Sequence, residues 1–212
     1  MKPQDWRALL TQYRAIAVIR SPNLEQGTQM ATAIADGGIR LIEITWNSHR
    51  PTELISKLCS QLPNCTIGAG TLLTREDLHQ AVDCGAEFLF TPHTNPLLIE
   101  EAKSLDIPII PGAFSPTEIV NGWQAGASCV KVFPISSLGG VAYVKSLQGP
   151  LGDIPLIPTG GVTLKNAKAF IEAGAIAVGL SSELFPPSLL AEQNWKAIAE
   201  QAKILTQQFA KI

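Results

Sequence analysis

The sequence holds ten lysines, and one of them stands where a lysine is expensive. Nine fall in segments that read as helices, loops or chain ends, where a solvated ammonium carries no penalty. Lys131 instead occupies the middle of Cys129-Val130-Lys131-Val132-Phe133, an apolar run with the length of a β-strand. Burying an unpaired ammonium there is costly, and burial shifts a lysine toward its neutral form. A neutral amine is a nucleophile toward carbonyl carbon, and that is the chemistry expected of Lys131. The competing reading is a lysine that points outward or is locked in a salt bridge. Glu43 shows the same peculiarity among the carboxylates, within Leu41-Ile42-Glu43-Ile44-Thr45. A carboxyl group beside a nucleophilic lysine can move the protons of carbonyl addition, dehydration and carbon–carbon cleavage. A buried structural ion pair would use the same two residues.

The elements that must position this pair alternate from end to end. Short runs rich in Val, Ile or Leu occur at Ile16–Ile19, Leu41–Thr45, Thr66–Ala69, Phe88–Thr91, Ile109–Pro111, Cys129–Phe133, Leu156–Pro158 and Ala177–Leu180. Near-continuous apolar runs suit parallel strands covered on both faces. Amphipathic segments separate them, such as Asn95–Leu105 with Leu97, Leu98 and Ala102 on one face. A further helix is expected around Asp5–Gln12, and a last one from about Ser188 to Lys211 should close the ring. Eight strands, each followed by a helix, predict an α/β fold of the (β/α)₈ TIM-barrel type, a single domain over residues 1–212 with an N-terminal helix. Internal repeats agree. Gly37, Gly85, Gly126 and Gly174 recur every ~41–48 residues and fit helix C-caps. Asp106-Ile107-Pro108-Ile109-Ile110-Pro111 is echoed by Asp153-Ile154-Pro155-Leu156-Ile157-Pro158. An open doubly wound sheet is the other candidate.

In a barrel of this type the active site lies at the C-terminal ends of the strands, and alternate strands fill the same interior layer. Glu43 on the second strand and Lys131 on the sixth are therefore expected to approach each other. Pro158-Thr159-Gly160-Gly161 ends strand seven and Gly179-Leu180-Ser181-Ser182 ends strand eight. Loops at these two positions commonly hold phosphate: glycines let backbone N–H groups reach the oxygens, and a helix N-terminus favours the charge. Thr159, Gly160, Gly161, Ser181 and Ser182 are the candidates, against ordinary turn glycines. Arg20 ends strand one and is placed to pair with a carboxylate or phosphate. Thr71, after Gly68-Ala69-Gly70, offers a hydroxyl to a substrate oxygen. His93, after Pro92, is either a substrate contact or an exposed loop residue.

Composition excludes other classes. Charged residues make up 16% and the formal net charge is −2, with no basic stretch longer than a pair, so no nucleic-acid partner is expected. No apolar run approaches the ~20 residues of a membrane helix. Asp5 and Trp6 stand where a signal peptide needs an apolar core, so a cytoplasmic protein is expected. Cys59, Cys65, Cys84 and Cys129 form no C-x-x-C pair and read as buried free thiols. His49, His79 and His93 show no metal-ligand spacing, and no metal is expected.

Taken together, Ile42-Glu43-Ile44-Thr45, Gly68-Ala69-Gly70-Thr71, Val130-Lys131-Val132-Phe133-Pro134 and Pro158-Thr159-Gly160-Gly161 resemble the 2-keto-3-deoxy-6-phosphogluconate (KDPG) and 4-hydroxy-2-oxoglutarate aldolase family, from about Ile16 to Leu184. The resemblance implies a cofactor-free class I aldolase, a homotrimer acting on a small phosphorylated 2-keto acid. It implies Lys131 as the Schiff-base residue, Glu43 as general acid/base, and Thr71 against the pyruvoyl part. Pro92 and Phe133 would line the pocket, with Gly160, Gly161 and Ser182 on the phosphate. Some members carry an arginine in the loop after strand two. Here Asn47 stands at that position, with Arg20 as the alternative source of charge. Trp46-Asn47-Ser48 and Phe133-Pro134-Ile135-Ser136-Ser137 also resemble the branch that takes the C4 epimer, 2-keto-3-deoxy-6-phosphogalactonate. A phosphosugar-binding barrel without catalysis would keep the phosphate loops but would not require Lys131.

Overall fold

The computed structural model describes residues 3–210. Helix α1 (Pro3–Tyr13) precedes β1 (Ala15–Ile19), and the chain continues through α2 (Leu24–Asp36), β2 (Leu41–Thr45), α3 (Pro51–Gln61), β3 (Thr66–Gly70), α4 (Arg75–Asp83), β4 (Leu89–Phe90) and α5 (Pro96–Ser104). Then come β5 (Ile109–Ile110), β6 (Gly112–Ala113), α6 (Pro116–Gln124), β7 (Val130–Val132), a 3₁₀ turn (Ile135–Leu138), α7 (Val141–Leu151), β8 (Leu156–Pro158), α8 (Ala167–Glu172), β9 (Val178–Leu180), α9 (Pro187–Ala191) and α10 (Trp195–Phe209).

The strands pair in parallel in the order β5-β4-β3-β2-β1-β9 and, separately, β6-β7-β8. Two joints close these arcs into a (β/α)₈ barrel. β5 and β6 are halves of the fifth barrel strand, separated only by Pro111, which has no N–H for the ladder. Its carbonyl still accepts from Lys131 N at 2.9 Å. β8 meets β9 through the bridge Thr159↔Gly179.

Closure sorts the residues of each strand by alternation. Ile42, Ile44, Val130 and Val132 face outward and join the large cluster under the helices. Leu41 and Cys129 face inward and belong to a second cluster with Ile16, Phe88, Phe90, Ile110, Ile157 and Ala177. Trp6 and Leu10 of α1, both fully buried, plug this inner core at the N-terminal end of the strands. Trp6 stacks on Phe88 with centroids 4.5 Å apart. The close fit needs Gly68, where a Cβ would come within 2.4 Å of the Phe88 ring.

Helix starts follow capping chemistry. Asn95 accepts from Leu97 N at 3.0 Å ahead of α5, and Thr74 with Asp77 and Ser115 with Glu118 form capping boxes on α4 and α6. Two expectations are corrected. The closing helix is two helices: Gln193 turns the chain at φ 50°, and Asn194 then caps α10 by accepting from Ala197 N. Of the expected final residues, Lys211 lies outside the described ones. Gly85, Gly126 and Gly174 do sit past their helices at φ 101°, 103° and 102°, but in the first repeat the left-handed residue is Gly38 at φ 93°. Gly37 is the C-cap of α2 at φ −76° and also serves close packing: a Cβ there would lie 2.4 Å from Ala199 O and from Ala202 Cβ of α10.

The Trp6 plug predicts that Trp6→Ala lowers unfolding free energy by about 3–5 kcal/mol, the cost of emptying a large aromatic site. Urea titration checks this, and a loss below about 1 kcal/mol would mean the inner core does not lean on α1.

Candidate active site

The alternation that sends Leu41 and Cys129 into the sealed lower core sends the residues two places on toward the open end. Glu43 and Thr45 of β2, and Lys131 with Phe133 just past β7, line a cavity of about 400 Å³ at the C-terminal ends of the strands. Another cleft, lined by Asn23, Gln26, Leu190 and Trp195 among others, is about 140 Å³ and holds no comparable pair of buried ionisable groups. Arg20, Thr71, Pro92, Thr159, Gly160, Gly161, Ser181 and Ser182 line the same strand-end cavity. The structure therefore brings every expected site residue to one place except Asn47. That side chain stands outside the lining, and its Oδ1 accepts from Arg20 Nε at 3.1 Å. His93 is exposed and stands outside the lining as well.

Lys131 is 6% exposed and Glu43 is 1% exposed. Among the described residues neither takes part in an ion pair within 4.0 Å, so they share a cavity without forming the structural salt bridge that was the competing reading. Lys131 Nζ lies 4.8 Å from the Phe133 ring centroid and 5.6 Å from that of Phe90, so aromatic faces surround the amine. Glu43 Oε1 is buried with no hydrogen-bond partner among the described residues. Burial pushes the Glu43 carboxyl above its ordinary pKa, while the positive charges of Lys131 and Arg20 pull it part of the way back. A carboxyl group whose charged form is disfavoured in this way is suited to accept and return a proton.

Backbone geometry makes the room. A Cβ on Gly70 would fall 1.8 Å from Glu43 Oε1, so only glycine at the end of β3 lets that carboxyl take its position. Thr71, next in the chain, adopts φ 63°, a strained conformation for a β-branched residue and of the kind that collects at functional sites. A Cβ on Gly179 would fall 2.5 Å from Thr159 Oγ1.

The two phosphate-loop candidates meet at the joint between β8 and β9. Gly160 and Gly161 have φ 80° and 105°. The loop is fixed from below, since Ile135 N donates to Thr159 O and Ser136 N to Gly160 O. It is fixed from the side by Asn166 Nδ2, which donates to Gly161 O at 3.2 Å. The N–H groups of Gly160, Gly161, Val162, Ser181 and Ser182 have no acceptor among the described hydrogen bonds, which leaves a cluster of backbone donors at the cavity rim. The expected helix N-terminus is not beside them: α8 begins only at Ala167 and α9 at Pro187. The attraction here is that of backbone amides rather than of a helix end.

Val18, Thr45 and Val162 line the cavity without having been singled out. Val18 and Thr45 were within reach of the strand alternation, two places from Ile16 and Glu43; Val162 carried no signal. Cys129, one inward position below Lys131, is no rival nucleophile, because burial pushes its thiol up to about 12. Cys65 and Cys129 are buried as expected, whereas Cys59 and Cys84 are only partly so. Among the described residues no group of three or more His, Cys, Asp or Glu could hold a metal ion, and no helix is long and apolar enough to cross a membrane.

The model of the KDPG and KHG aldolases matches residues 7–201. The chain belongs to this family. It is 32% identical to a 2-dehydro-3-deoxy-phosphogluconate aldolase of Haemophilus influenzae over 189 residues, 89% of each chain. A KDPG aldolase from Legionella pneumophila, crystallised with pyruvate captured as a covalent carbinolamine intermediate, superposes with a TM-score of 0.88 at 29% identity, covering 97% of this chain and 98% of that one. A native KDPGal structure superposes with a TM-score of 0.85 at 29% identity, covering 93% and 94%.

The raised pKa of Glu43 predicts a stability effect with a definite sign. The folded protein holds the Glu43 proton at pH values where the unfolded chain, with a carboxyl near 4.3, has released it. The unfolded state then binds fewer protons, so this residue's contribution falls as pH rises from the ordinary carboxylate range through the folded pKa. Glu43→Gln should therefore unfold at a higher temperature than the parent at about pH 8, with the difference shrinking toward about pH 4. Thermal unfolding at both pH values checks this, and a destabilised variant at the higher pH would contradict it.

Proposed function

We propose that this aldolase cleaves KDPG to pyruvate and glyceraldehyde 3-phosphate through a Schiff base on Lys131, and that it also cleaves 4-hydroxy-2-oxoglutarate to pyruvate and glyoxylate. The observation that carries the reading is the pair Lys131 and Glu43, both buried in one strand-end cavity and without an ion pair among the described residues.

The steps follow from the groups at hand. Lys131 Nζ adds to the C2 carbonyl to form a carbinolamine, which loses water to a protonated imine. The iminium carbon draws electrons, so the C3–C4 bond breaks into an enamine as the C4 hydroxyl loses its proton to Glu43. The aldehyde leaves. Glu43, now protonated, returns the proton to C3 of the enamine, and water hydrolyses the resulting imine to free pyruvate and Lys131. Thr71 would bind the pyruvoyl carboxylate. Phe133 and Pro92 would wall the keto-acid end. Thr159, Gly160, Gly161, Ser181 and Ser182 would receive the phosphate on their backbone and hydroxyl donors, with Arg20 supplying positive charge beside them. In this reading the enzyme is a cofactor-free homotrimer of the cytoplasm, serving the Entner–Doudoroff type of sugar-acid breakdown. The assembly is checked by light scattering.

The galactonate epimer is the second reading. The likeness to the native KDPGal structure and the Trp46-Asn47-Ser48 segment favour it. Steady-state comparison of the two phosphorylated epimers and 4-hydroxy-2-oxoglutarate ranks the substrates by kcat/KM.

Borohydride reduction in the presence of pyruvate and EDTA should leave a stable pyruvate-derived adduct on Lys131, located by peptide mass spectrometry. Lys131→Ala should lose the adduct and about four orders of magnitude or more of kcat while remaining folded. Near-normal turnover in Lys131→Ala would end the mechanism, and a folded parent that gives no adduct would favour a phosphosugar-binding barrel.

A further inference from the structure

Two loops at the mouth of the cavity are tied together more firmly than their length requires. Arg20 and Ser21 follow β1, and Asn47, Ser48 and His49 follow β2. Three hydrogen bonds cross between them. Ser21 N donates to Ser48 Oγ at 3.2 Å, His49 N donates to Ser21 O at 2.9 Å, and Arg20 Nε donates to Asn47 Oδ1 at 3.1 Å. The first two are anchored in the interior: Ser21 is 2% exposed and Ser48 8%, and Ser48 Oγ also meets the buried Thr45 Oγ1 at 3.2 Å. The pair Arg20–Asn47 is therefore mounted on a fixed base.

The bond to Asn47 uses only Nε. Among the described residues the terminal nitrogens of Arg20 have no hydrogen-bond or ion-pair partner. A guanidinium held at Nε presents its two remaining nitrogens as a planar fork, the geometry that fits two oxygens of one anion. β1 pairs with β9 on one side, with Ala17 opposite Leu180, so Arg20 neighbours the loop of Ser181 and Ser182. Apart from Lys131, Arg20 is the cationic side chain in the cavity lining. A free arginine on an open loop loses rotamer freedom when it binds an anion, and holding it beforehand removes part of that loss.

We propose that Asn47 is a positioning residue. It fixes the Arg20 guanidinium so that its free edge meets the phosphate of the substrate, and so sets the preference for phosphorylated over unphosphorylated 2-keto acids. An asparagine can do this where a carboxylate could not, because it accepts from Nε without neutralising the charge that the phosphate needs. The proposal rests on the aldolase reading and on Arg20 as a phosphate contact.

The test is a double-mutant cycle on the full chain, with KDPG and 4-hydroxy-2-oxoglutarate as substrates. Asn47 is exposed, so its replacement leaves the fold in place. Asn47→Ala should raise KM for KDPG about tenfold and change kcat less than about twofold, as expected for a weakened binding contact. KM for 4-hydroxy-2-oxoglutarate should stay unchanged. Asn47→Asp should also raise KM for KDPG, because it keeps the acceptor but cancels the charge. In an Arg20→Ala background, Asn47→Ala should add nothing further. Additive losses would overturn the positioning role while leaving Arg20 as a phosphate contact. An Arg20→Ala variant with unchanged KM for KDPG would overturn the parent reading instead. A residual pyruvate adduct on Lys131 in every variant separates either failure from loss of the aldolase itself.

Discussion

Glu43 and Lys131 are buried in one cavity, and among the described residues neither takes part in an ion pair. Lys131 Nζ is faced by the rings of Phe133 and Phe90, and Glu43 Oε1 is buried with no hydrogen-bond partner among the described residues. The desolvation of the carboxyl outweighs the attraction of Lys131 and Arg20, which is why its pKa rises rather than falls. Such a pair is a poor contributor to stability and a useful one to proton transfer. The stability comes from elsewhere, from the outer layer of helices and the inner core plugged by Trp6 and Leu10.

Around this pair, the chain removes side chains wherever backbone must come close. Gly70 opens the space that the Glu43 carboxyl fills, and Gly179 opens the space for Thr159. Gly160 and Gly161 line the cavity at positive φ, and their N–H groups have no acceptor among the described hydrogen bonds. Backbone dipoles fixed in this way need no reorganisation when charge arrives. The segments after β7 and before α8 hold that loop through Ile135, Ser136 and Asn166, so rigidity is supplied by neighbouring elements rather than by the glycines themselves.

The mouth of the cavity follows the same logic with side chains. The buried Ser48 hydroxyl meets Thr45 Oγ1 and accepts from the Ser21 backbone N–H, which joins the loops after β1 and β2. Asn47 then reaches Arg20 from a base that cannot drift. Glu43 and Lys131 stand on strands, the backbone N–H groups of Gly160 and Gly161 on a braced turn, and Arg20 on a braced pair of loops. Each is positioned by the most rigid support its location allows.

The amino-acid sequence by itself determined the eight near-continuous apolar runs, the helices between them, and the two ionisable residues that interrupt those runs. Those features are local, because they depend on side-chain type and spacing along one strand or one helix. Barrel closure, the site at the strand ends and the gathering of Arg20, Thr71 and the two loops after the seventh and eighth strands followed from that pattern, whereas Pro92 and Phe133 came from the family resemblance. What only the tertiary structure decided are contacts between segments distant in sequence. It made Gly37, the C-cap of α2, a packing residue against α10 and put the left-handed turn at Gly38, because the constraint comes from Ala199 and Ala202. It split the last helix at Gln193, where Asn194 starts a new one. It also set Asn47 against Arg20 rather than in the cavity lining, since a loop side chain takes its direction from the neighbouring loop and not from the strand that precedes it.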